Sequence, residues 1–323
     1  MNNFYNINDI IKNSSKILIT SHINPDGDTL GTMCALYSAI YENFKKNADM
    51  FLASKIPFAY RDLPFIERAK NNYDNSLVYD LVISVDVAAK DRMGNSQILF
   101  DKAKQTINID HHKTNPNYAN INIIEGGAAS AGLVLYKYMK QNNWKLTKDI
   151  AECLYVSILT DTGGFKYENT SAEAVKVAGE LIELGVDPNQ IYKSVYETKT
   201  KDFIMFQANA LSKAKFSNDN KIAYTTIYKK DLEIYKSSED FTEGLVERLR
   251  VIDEVEVSFL IKEIDSRLSK VSMRSKNIDV AEICTNFGGG GHTYAAGCVI
   301  KASVENAAKI LISLIEEKLC KNI

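Results

Sequence analysis

The chain has 323 residues, 45% of them hydrophobic and 25% charged, an ordinary composition for a globular protein large enough for two cores. Its net charge of −2 argues against the basic surface by which proteins usually grip long nucleic acids. No apolar run approaches the roughly 20 residues that span a bilayer, and the N-terminus lacks the basic start of a signal peptide, so we expect a cytoplasmic protein without membrane association.

Apolar runs alternate with helical periodicity through the first half of the chain, as in a parallel α/β sheet. Helices are predicted at "TLGTMCALYSAIYENFKK", "ASAGLVLYKYMKQ", "KDIAECLYVSILTDT" and "SAEAVKVAGELIELG", and strands at "KILITSH", "YDLVISVD" and "QTINIDHH". Each of these strands ends in an aspartate or histidine cluster. Because open α/β sheets bind ligands beyond the carboxyl ends of their strands, these clusters are candidate site residues.

Beyond Asp187 the pattern becomes a helical stretch without chemistry motifs, then further strands and a final helix at "SVENAAKILISLIEEKL". We predict an α/β fold with a mainly parallel N-terminal sheet flanked by helices, joined to a smaller α+β domain. The expected ranges are 1–190 for the first domain, 191–215 for a helical linker and 216–323 for the second domain.

The five cysteines are scattered, odd in number and without a C-x-x-C pair: Cys34, Cys153, Cys284, Cys298 and Cys320. This pattern predicts reduced core thiols rather than disulfides or a thiolate zinc site. The remaining candidates for metal binding or catalysis are the histidines and carboxylates.

All four histidines stand beside aspartates or in a glycine run: His22, His111, His112 and His292. Aspartates accompany them at Asp26, Asp28, Asp86, Asp110 and Asp161. Taken singly, each histidine is more often a core or surface residue, and each aspartate more often a cap or turn residue. Together, carboxylates and imidazoles without thiolates suit Mn²⁺ or Mg²⁺. The ligand excess suggests two ions, which would activate a water and clamp a phosphoryl group.

The segment "FGGGGHTYAAG", from Phe287 to Gly297, contains four consecutive glycines. A flexible surface loop is one interpretation. The other is a backbone nest for a phosphate, followed by His292 at a helix N-terminus. Arg274, in "VSMRS", could reach the same phosphate with its guanidinium, although alone it could be an ordinary surface arginine.

Four segments, "HINPDGD", the aspartate of "VISVDVAAKDRMG", "DHHKTN" and "TDTGGF", resemble the ordered motifs of the DHH phosphoesterase family. "VSMRS" and "FGGGGHTYAAG" resemble its glycine-rich DHH-associated C-terminal domain. The stand-alone nanoRNase and pAp-phosphatase subgroup is the most similar in length and domain pair. The resemblance implies an active site in the cleft between the two domains.

The resemblance also implies two Mn²⁺ ions, with Mg²⁺ or Co²⁺ as substitutes. Asp86, Asp110 and His112 would be the catalytic residues, with Asp110 orienting a histidine and His112 near the scissile phosphate. One ion would be held by His22 and Asp26, the second by Asp28, His111 and Asp161, and both by a bridging Asp86. The expected substrate-binding residues are Arg92, Asn115, Arg274, Ser275, Gly289, Gly290, Gly291 and His292.

The implied reaction releases nucleoside 5′-monophosphates from oligoribonucleotides of 2–5 nucleotides, and dephosphorylates 3′-phosphoadenosine 5′-phosphate (pAp) to AMP. The alternative is a cyclic di-AMP or pApA phosphodiesterase, because the metal site is shared and only the substrate lobe differs. A RecJ-type exonuclease on long strands, a family II pyrophosphatase and a non-catalytic nucleotide sensor fit the motifs less well. Long duplexes and membranes are not expected partners, and a homodimer is an open alternative to a monomer.

Overall fold

The computed structural model describes residues 7–74, 76–217, 219–235 and 239–321. Its internal contacts divide the chain into two units, Met1–Thr198 and Lys199–Ile323. Each unit has its own apolar clusters, built around residues such as Leu30 and Ile83 in the first and Phe259 and Val271 in the second.

The first unit contains a six-stranded sheet in which every neighbouring pair is parallel. The strand order is β3-β2-β1-β4-β5-β6. The strands are β1 Ile17–Thr20, β2 Ala48–Phe51, β3 Ala69–Lys70, β4 Leu81–Val85, β5 Gln105–Asp110 and β6 Ile121–Ile124. All residues of β1 and β4 are buried, which explains their continuous apolar sequences. The predicted parallel sheet is confirmed.

Seven helices accompany this sheet: α1 Ile7–Asn13, α2 Gly27–Phe44, α3 Gln97–Lys102, α4 Ala131–Gln141, α5 Lys148–Asp161, α6 Ala172–Glu183 and α7 Pro188–Tyr192. A π-helical turn, Lys193–Glu197, follows α7. Helix α2 packs closely on α5, because a Cβ added to Gly31 would lie 2.5 Å from the carbonyl oxygen of Cys153. This close approach fixes the spacing of the two helices that bear Asp28 and Asp161.

The sheet register brings the candidate site residues to one edge. Thr20 of β1 pairs with Ser84 of β4, and Ser84 pairs with Asn108 of β5. The three strands therefore end at nearly the same level. The segments that follow them begin on the same side of the sheet, as the sequence predicts.

The second unit is a mixed sheet with helices, as predicted for the α+β domain. Its strand order is β11-β12-β10-β9-β8-β7, antiparallel except for the parallel pair β8–β9. The strands are β7 Lys215–Phe216, β8 Ile222–Ile227, β9 Val257–Asp265, β10 Leu268–Ser275, β11 Gly290–His292 and β12 Ala295–Ile300. The helices are α8 Lys201–Ser212, α9 Lys229–Ile234, α10 Leu245–Arg250, α11 Val280–Thr285 and α12 Val304–Lys321.

The expectation that His292 begins a helix is wrong. The last three residues of the segment "GGGGH" form the short edge strand β11, which pairs with β12. Helix α11 ends at Thr285, before the glycine run.

Two further features concern membrane spans and cysteine chemistry. Among the helices in the described ranges, none is both long enough and apolar enough to cross a bilayer. All five cysteines are free thiols, and four of them are buried.

Candidate metal centre

The loop between β1 and α2 carries the first group of site residues. Asp26 caps α2, since its Oδ1 accepts a hydrogen bond from the backbone N–H of Thr29 at 3.0 Å. Asp28 lies in the first turn of α2 with its side chain only 2% exposed. The turn therefore separates the two carboxylates, one near solvent and one in the interior.

Asp28 is held by hydrogen bonds from two other helices. Its carboxylate accepts the backbone N–H groups of Ala131, at 2.8 Å, and Gly132, at 3.2 Å, in the first turn of α4. It also accepts the hydroxyl of Ser157 on α5 at 2.6 Å. These contacts fix the carboxylate in one orientation.

The ends of β4 and β5 supply the centre of the site. Asp86 directly follows β4, is buried, and has a left-handed backbone with φ +56°. Asp110 is the last residue of β5, and His111 and His112 follow it. Asp161 is the last residue of α5.

These side chains form three overlapping groups whose ligand atoms lie within 4.8 Å of one another. Asp86 and His111 each belong to two groups, so the groups merge into one cluster. The groups are His22, Asp26 and Asp86, then Asp28, His111 and Asp161, and lastly Asp86, His111 and His112. All six expected metal ligands are thus brought together.

The two inner histidines both direct Nε2 towards the aspartates. Nδ1 of His22 lies 2.7 Å from the carbonyl oxygen of Ile23, and Nδ1 of His111 lies 3.0 Å from that of Ala128. Their Nε2 atoms lie 3.4 Å and 3.5 Å from the carboxylate of Asp86. Metal-ligating histidines typically donate one ring N–H to a carbonyl and bind the ion with the other nitrogen.

Burial and mutual repulsion shift the pKa values of the carboxylates. Burial, with the charges of Asp86 and Asp161, raises the pKa of Asp28 well above its usual value. Burial is also the main cause that raises the pKa of Asp161 to about 7. Several buried carboxylates so close together favour a bound cation, which would neutralise them.

In the metal-free protein, protons on the two inner histidines supply positive charge to the cluster. Burial alone would lower their pKa values, but the nearby aspartates, Asp86 above all, outweigh it. The pKa is raised to about 9 for His22 and about 10 for His111. The pKa of Asp86 moves down, because these two histidines outweigh its burial.

The donor set fits a metal ion. Oδ1 of Asp86 is buried and accepts no hydrogen bond from the described part of the chain. Oxygen and imidazole ligands surround it, without a cysteine in any of the three groups. This is the ligand chemistry of Mn²⁺, Mg²⁺ and related ions rather than of a structural zinc site.

His112 lies at the solvent side of the cluster and is oriented by Asp110. Nδ1 of His112 is 2.7 Å from Oδ1 of Asp110, and 34% of its side chain is exposed. The other oxygen of Asp110 accepts Nδ2 of Asn115 at 2.5 Å. Asn115 therefore supports the carboxylate that orients His112. Its expected role in substrate binding stays a prediction.

Arg92 is exposed, and its backbone carbonyl accepts the N–H of Ile23 at 2.8 Å. This contact ties its loop to the one that carries His22.

The remaining substrate candidates lie in the second unit. Nε of Arg274 is 2.8 Å from Oε1 of Glu247, and its Nη1 donates to the carbonyl of Met273. Ser275 is buried and donates its hydroxyl to the carbonyl of Ile278 at 2.5 Å. Ser275 thus has a local structural partner, and Arg274 is held in place by an acid on α10.

The glycines of the "GGGGH" run differ in what surrounds them. Added Cβ atoms at Gly289 and Gly291 would lie 2.3 Å and 2.4 Å from carbonyl oxygens of the β12 strand, so close packing requires these two glycines. At Gly290 no described atom would come within 4 Å of the added Cβ. His292, two residues later on β11, is exposed. Packing in this unit does not explain the glycine at 290, which leaves room for a ligand.

Several supporting residues are not predicted from the sequence. The hydroxyl of Thr29 donates to Oδ2 of Asp86 at 2.6 Å and lies 2.7 Å from Nε2 of His22. Asn169 donates to both the backbone carbonyl and the carboxylate of Asp161. Their residue types are too common in turns to identify them without the tertiary contacts.

Comparison with protein families matches residues 16–158 to the DHH family N-terminal domain and residues 219–319 to the DHHA1 domain. The chain belongs to the DHH family. The DHH match contains five of the six clustered metal candidates, and the DHHA1 match contains Arg274 and the glycine run. Membership makes the protein a metal-dependent hydrolase of phosphate esters.

Similar proteins align with this chain over nearly its whole length. The bifunctional oligoribonuclease and PAP phosphatase NrnA of Bacillus subtilis is 28% identical, over 94% of this chain and 95% of its own. The protein of the same name from Thermus thermophilus is 26% identical, over 94% and 90%. Among solved structures, an exopolyphosphatase-related protein from Bacteroides fragilis matches with a TM-score of 0.88 and 25% identity, over 96% of this chain and 94% of that one.

Proposed function

We propose that this DHH-family protein degrades very short oligoribonucleotides to nucleoside 5′-monophosphates and dephosphorylates pAp to AMP, using two Mn²⁺ ions. The observation that carries the proposal is the cluster around Asp86, where all six expected ligands meet. The names of full-length relatives from Bacillus subtilis and Thermus thermophilus support the substrate class.

The first-unit residues would hold the metal ions. Asp86 would bridge the two ions, between a set made by His22 and Asp26 and a set made by Asp28, His111 and Asp161. When bound, the ions would lower the pKa of a water and stabilise charge on the phosphate. The Nδ1 contacts of His22 and His111 with carbonyl groups would keep both Nε2 atoms directed at the site.

His112 would act on the substrate directly. Asp110 holds its Nδ1, so Nε2 is the ring nitrogen left to meet a phosphate oxygen or the leaving group. Hydrogen bonding to Asp110 is the main cause that raises the pKa of His112. A raised pKa favours the protonated ring, which would stabilise negative charge as the ester bond breaks.

The second unit would bind a phosphate of the substrate. Arg274 offers guanidinium N–H groups beyond those bonded to Glu247 and Met273. The exposed His292 and the open backbone at Gly290 would add contacts to a phosphate.

A substrate panel with Mn²⁺ tests the proposal: pAp, 5′-phosphorylated di- and pentanucleotides, cyclic di-AMP, pyrophosphate and a long single strand. We expect turnover of pAp and of the dinucleotide well above that of the long strand. Turnover of cyclic di-AMP in preference to pAp would favour the alternative phosphodiesterase. Failure to hydrolyse either pAp or the dinucleotide would reject the proposed function.

A further inference from the structure

The backbone of the proposed bridging ligand is in an unfavourable conformation. Asp86 has φ +56°, in the left-handed region that non-glycine residues rarely adopt without support from surrounding contacts. Its N–H is fixed by the carbonyl of Ile109 at 2.9 Å. The carbonyl of Val87, the following residue, holds the turn on its other side.

Three side chains donate to this one carbonyl. Nδ2 of Asn108 lies 3.0 Å, Nδ2 of Asn115 3.1 Å and the hydroxyl of Tyr118 2.9 Å from the oxygen of Val87. A carbonyl oxygen has two lone pairs and ordinarily accepts up to two hydrogen bonds, so three donors are unusual. Val87 itself is fully buried, which excludes water as a substitute.

The donors are themselves tied together. The second Nδ2 hydrogen of Asn108 goes to the Tyr118 hydroxyl, and the second one of Asn115 goes to Asp110. Ser84 of β4 adds a contact to the Tyr118 hydroxyl at 3.1 Å. The result is a buried polar network that reaches from β4 to the residues orienting His112.

We propose that Asn108 and Tyr118 are positioning residues that hold Asp86 in its left-handed conformation through the Val87 carbonyl. Neither residue belongs to any of the three candidate ligand groups. Asn115 links the same carbonyl to Asp110, so one network would set the geometry of both Asp86 and His112. The inference rests on the proposed metal assignment of Asp86.

Tyr118→Phe is the sharpest variant, because it removes only the hydroxyl and keeps the ring that packs edge-on against Phe100, with ring centroids 5.6 Å apart. Tyr79→Phe is the matched control. Its hydroxyl donates to Asp49 at 3.1 Å, also in the first unit but outside the network.

The test measures Mn²⁺ binding to the metal-free full-length proteins by calorimetry, together with thermal unfolding. For Tyr118→Phe we expect binding about tenfold weaker than wild type, the usual effect of losing an outer contact to a ligand. The control should bind like wild type. Turnover of pAp by Tyr118→Phe should recover as Mn²⁺ is raised, which a general loss of folding would not allow.

Asn108→Ala provides a second variant if the first is poorly folded, and it should weaken Mn²⁺ binding at least as much. Wild-type affinity in every folded variant would overturn this inference alone and leave the proposed function intact. A wild-type protein that binds no Mn²⁺ would overturn both.

Discussion

The chemistry of single residues in the site is governed by unbalanced negative charge. Asp28 accepts hydrogen bonds from Ala131, Gly132 and Ser157, which favour a carboxylate, yet its pKa is raised because burial and neighbouring aspartates dominate. In the metal-free protein the protonated His22 and His111 partly offset this charge. A divalent ion would replace their protons with a stronger positive charge.

Asp86→Asn should lower the turnover of pAp by more than about a hundredfold, since changes outside the ligand shell already cost about 10–100-fold. The amide keeps the shape of the side chain but contributes one neutral oxygen in place of two charged ones. Steady-state kinetics in Mn²⁺ measures the effect. Asp101→Asn, which affects only surface contacts with Lys90 and Gln97, is the control and should keep normal turnover.

The affinity for Mn²⁺ should increase with pH between about 6 and 8. His22 and His111, with pKa values of about 9 and 10 in the metal-free protein, must lose their protons to bind an ion. Each proton released makes binding about tenfold weaker for every unit that the pH falls below these values. Calorimetry in buffers of different ionisation enthalpy would count the protons. An affinity that does not change with pH would contradict the assignment of these histidines as ligands.

The element scale explains how distant parts of the chain meet. Strands β1, β4 and β5 end at one level and α2 packs on α5, so loops more than 130 residues apart contribute to one site. The glycine at 31 permits this contact, because any side chain there would collide with the backbone of Cys153. The separation of Asp28 and Asp161 therefore depends on helix packing.

Gly31→Ala should destabilise the protein by about 1–3 kcal/mol through overpacking and should weaken Mn²⁺ binding. Gly179→Ala is the matched control, since Gly179 is exposed on α6 and no described atom lies within 4 Å of its added Cβ. That substitution should stabilise by up to about 1 kcal/mol, the difference in helix propensity. Thermal unfolding and metal titration of both variants measure the contrast. Equal free energies of unfolding for the Gly31→Ala and Gly179→Ala variants would contradict the close packing of α2 and α5.

The sequence predicts the strands that carry the site because β1 and β4 are nearly continuous apolar runs, and because an aspartate or histidine stands at or just after the end of β1, β4 and β5. It does not predict the strand that contains His292. β11 has only three residues, and its pairing with β12 depends on glycines that allow close approach. Patterns of side-chain polarity carry no information about such backbone contacts.

The network at Val87 is also beyond sequence analysis. Asn108 is an internal residue of a largely buried strand, and Tyr118 lies in a loop, so neither position suggests a shared target. Both side chains reach the Val87 carbonyl because the chain turns at Asp86 and directs this carbonyl towards β5. The pairing of Arg274 with Glu247 likewise requires the packing of α10 beside β10.

For the whole molecule, the candidate metal ligands and the candidate phosphate-binding residues belong to different units. The first unit contains all six metal candidates. Arg274, Gly290 and His292 belong to the second. Substitutions in the second unit should therefore change substrate binding without changing metal binding.

Arg274→Ala should raise the KM for pAp at least about tenfold, the loss of one charge-assisted contact of about 1.5–3 kcal/mol, and should leave Mn²⁺ affinity unchanged. Kinetics and calorimetry on the same preparation test both parts. Arg267→Ala, at the far end of the β9–β10 hairpin, is a control that should alter neither. A lower Mn²⁺ affinity in Arg274→Ala would contradict the separation of the two roles.

The most direct measurement titrates metal-free protein with Mn²⁺ while bound metal and hydrolysis of a 5′-phosphorylated dinucleotide are followed together. The account predicts two ions bound per chain, with activity that appears as the second site fills and is lost on chelation. Full activity with one ion, or with none, would contradict a site in which Asp86 bridges two ions.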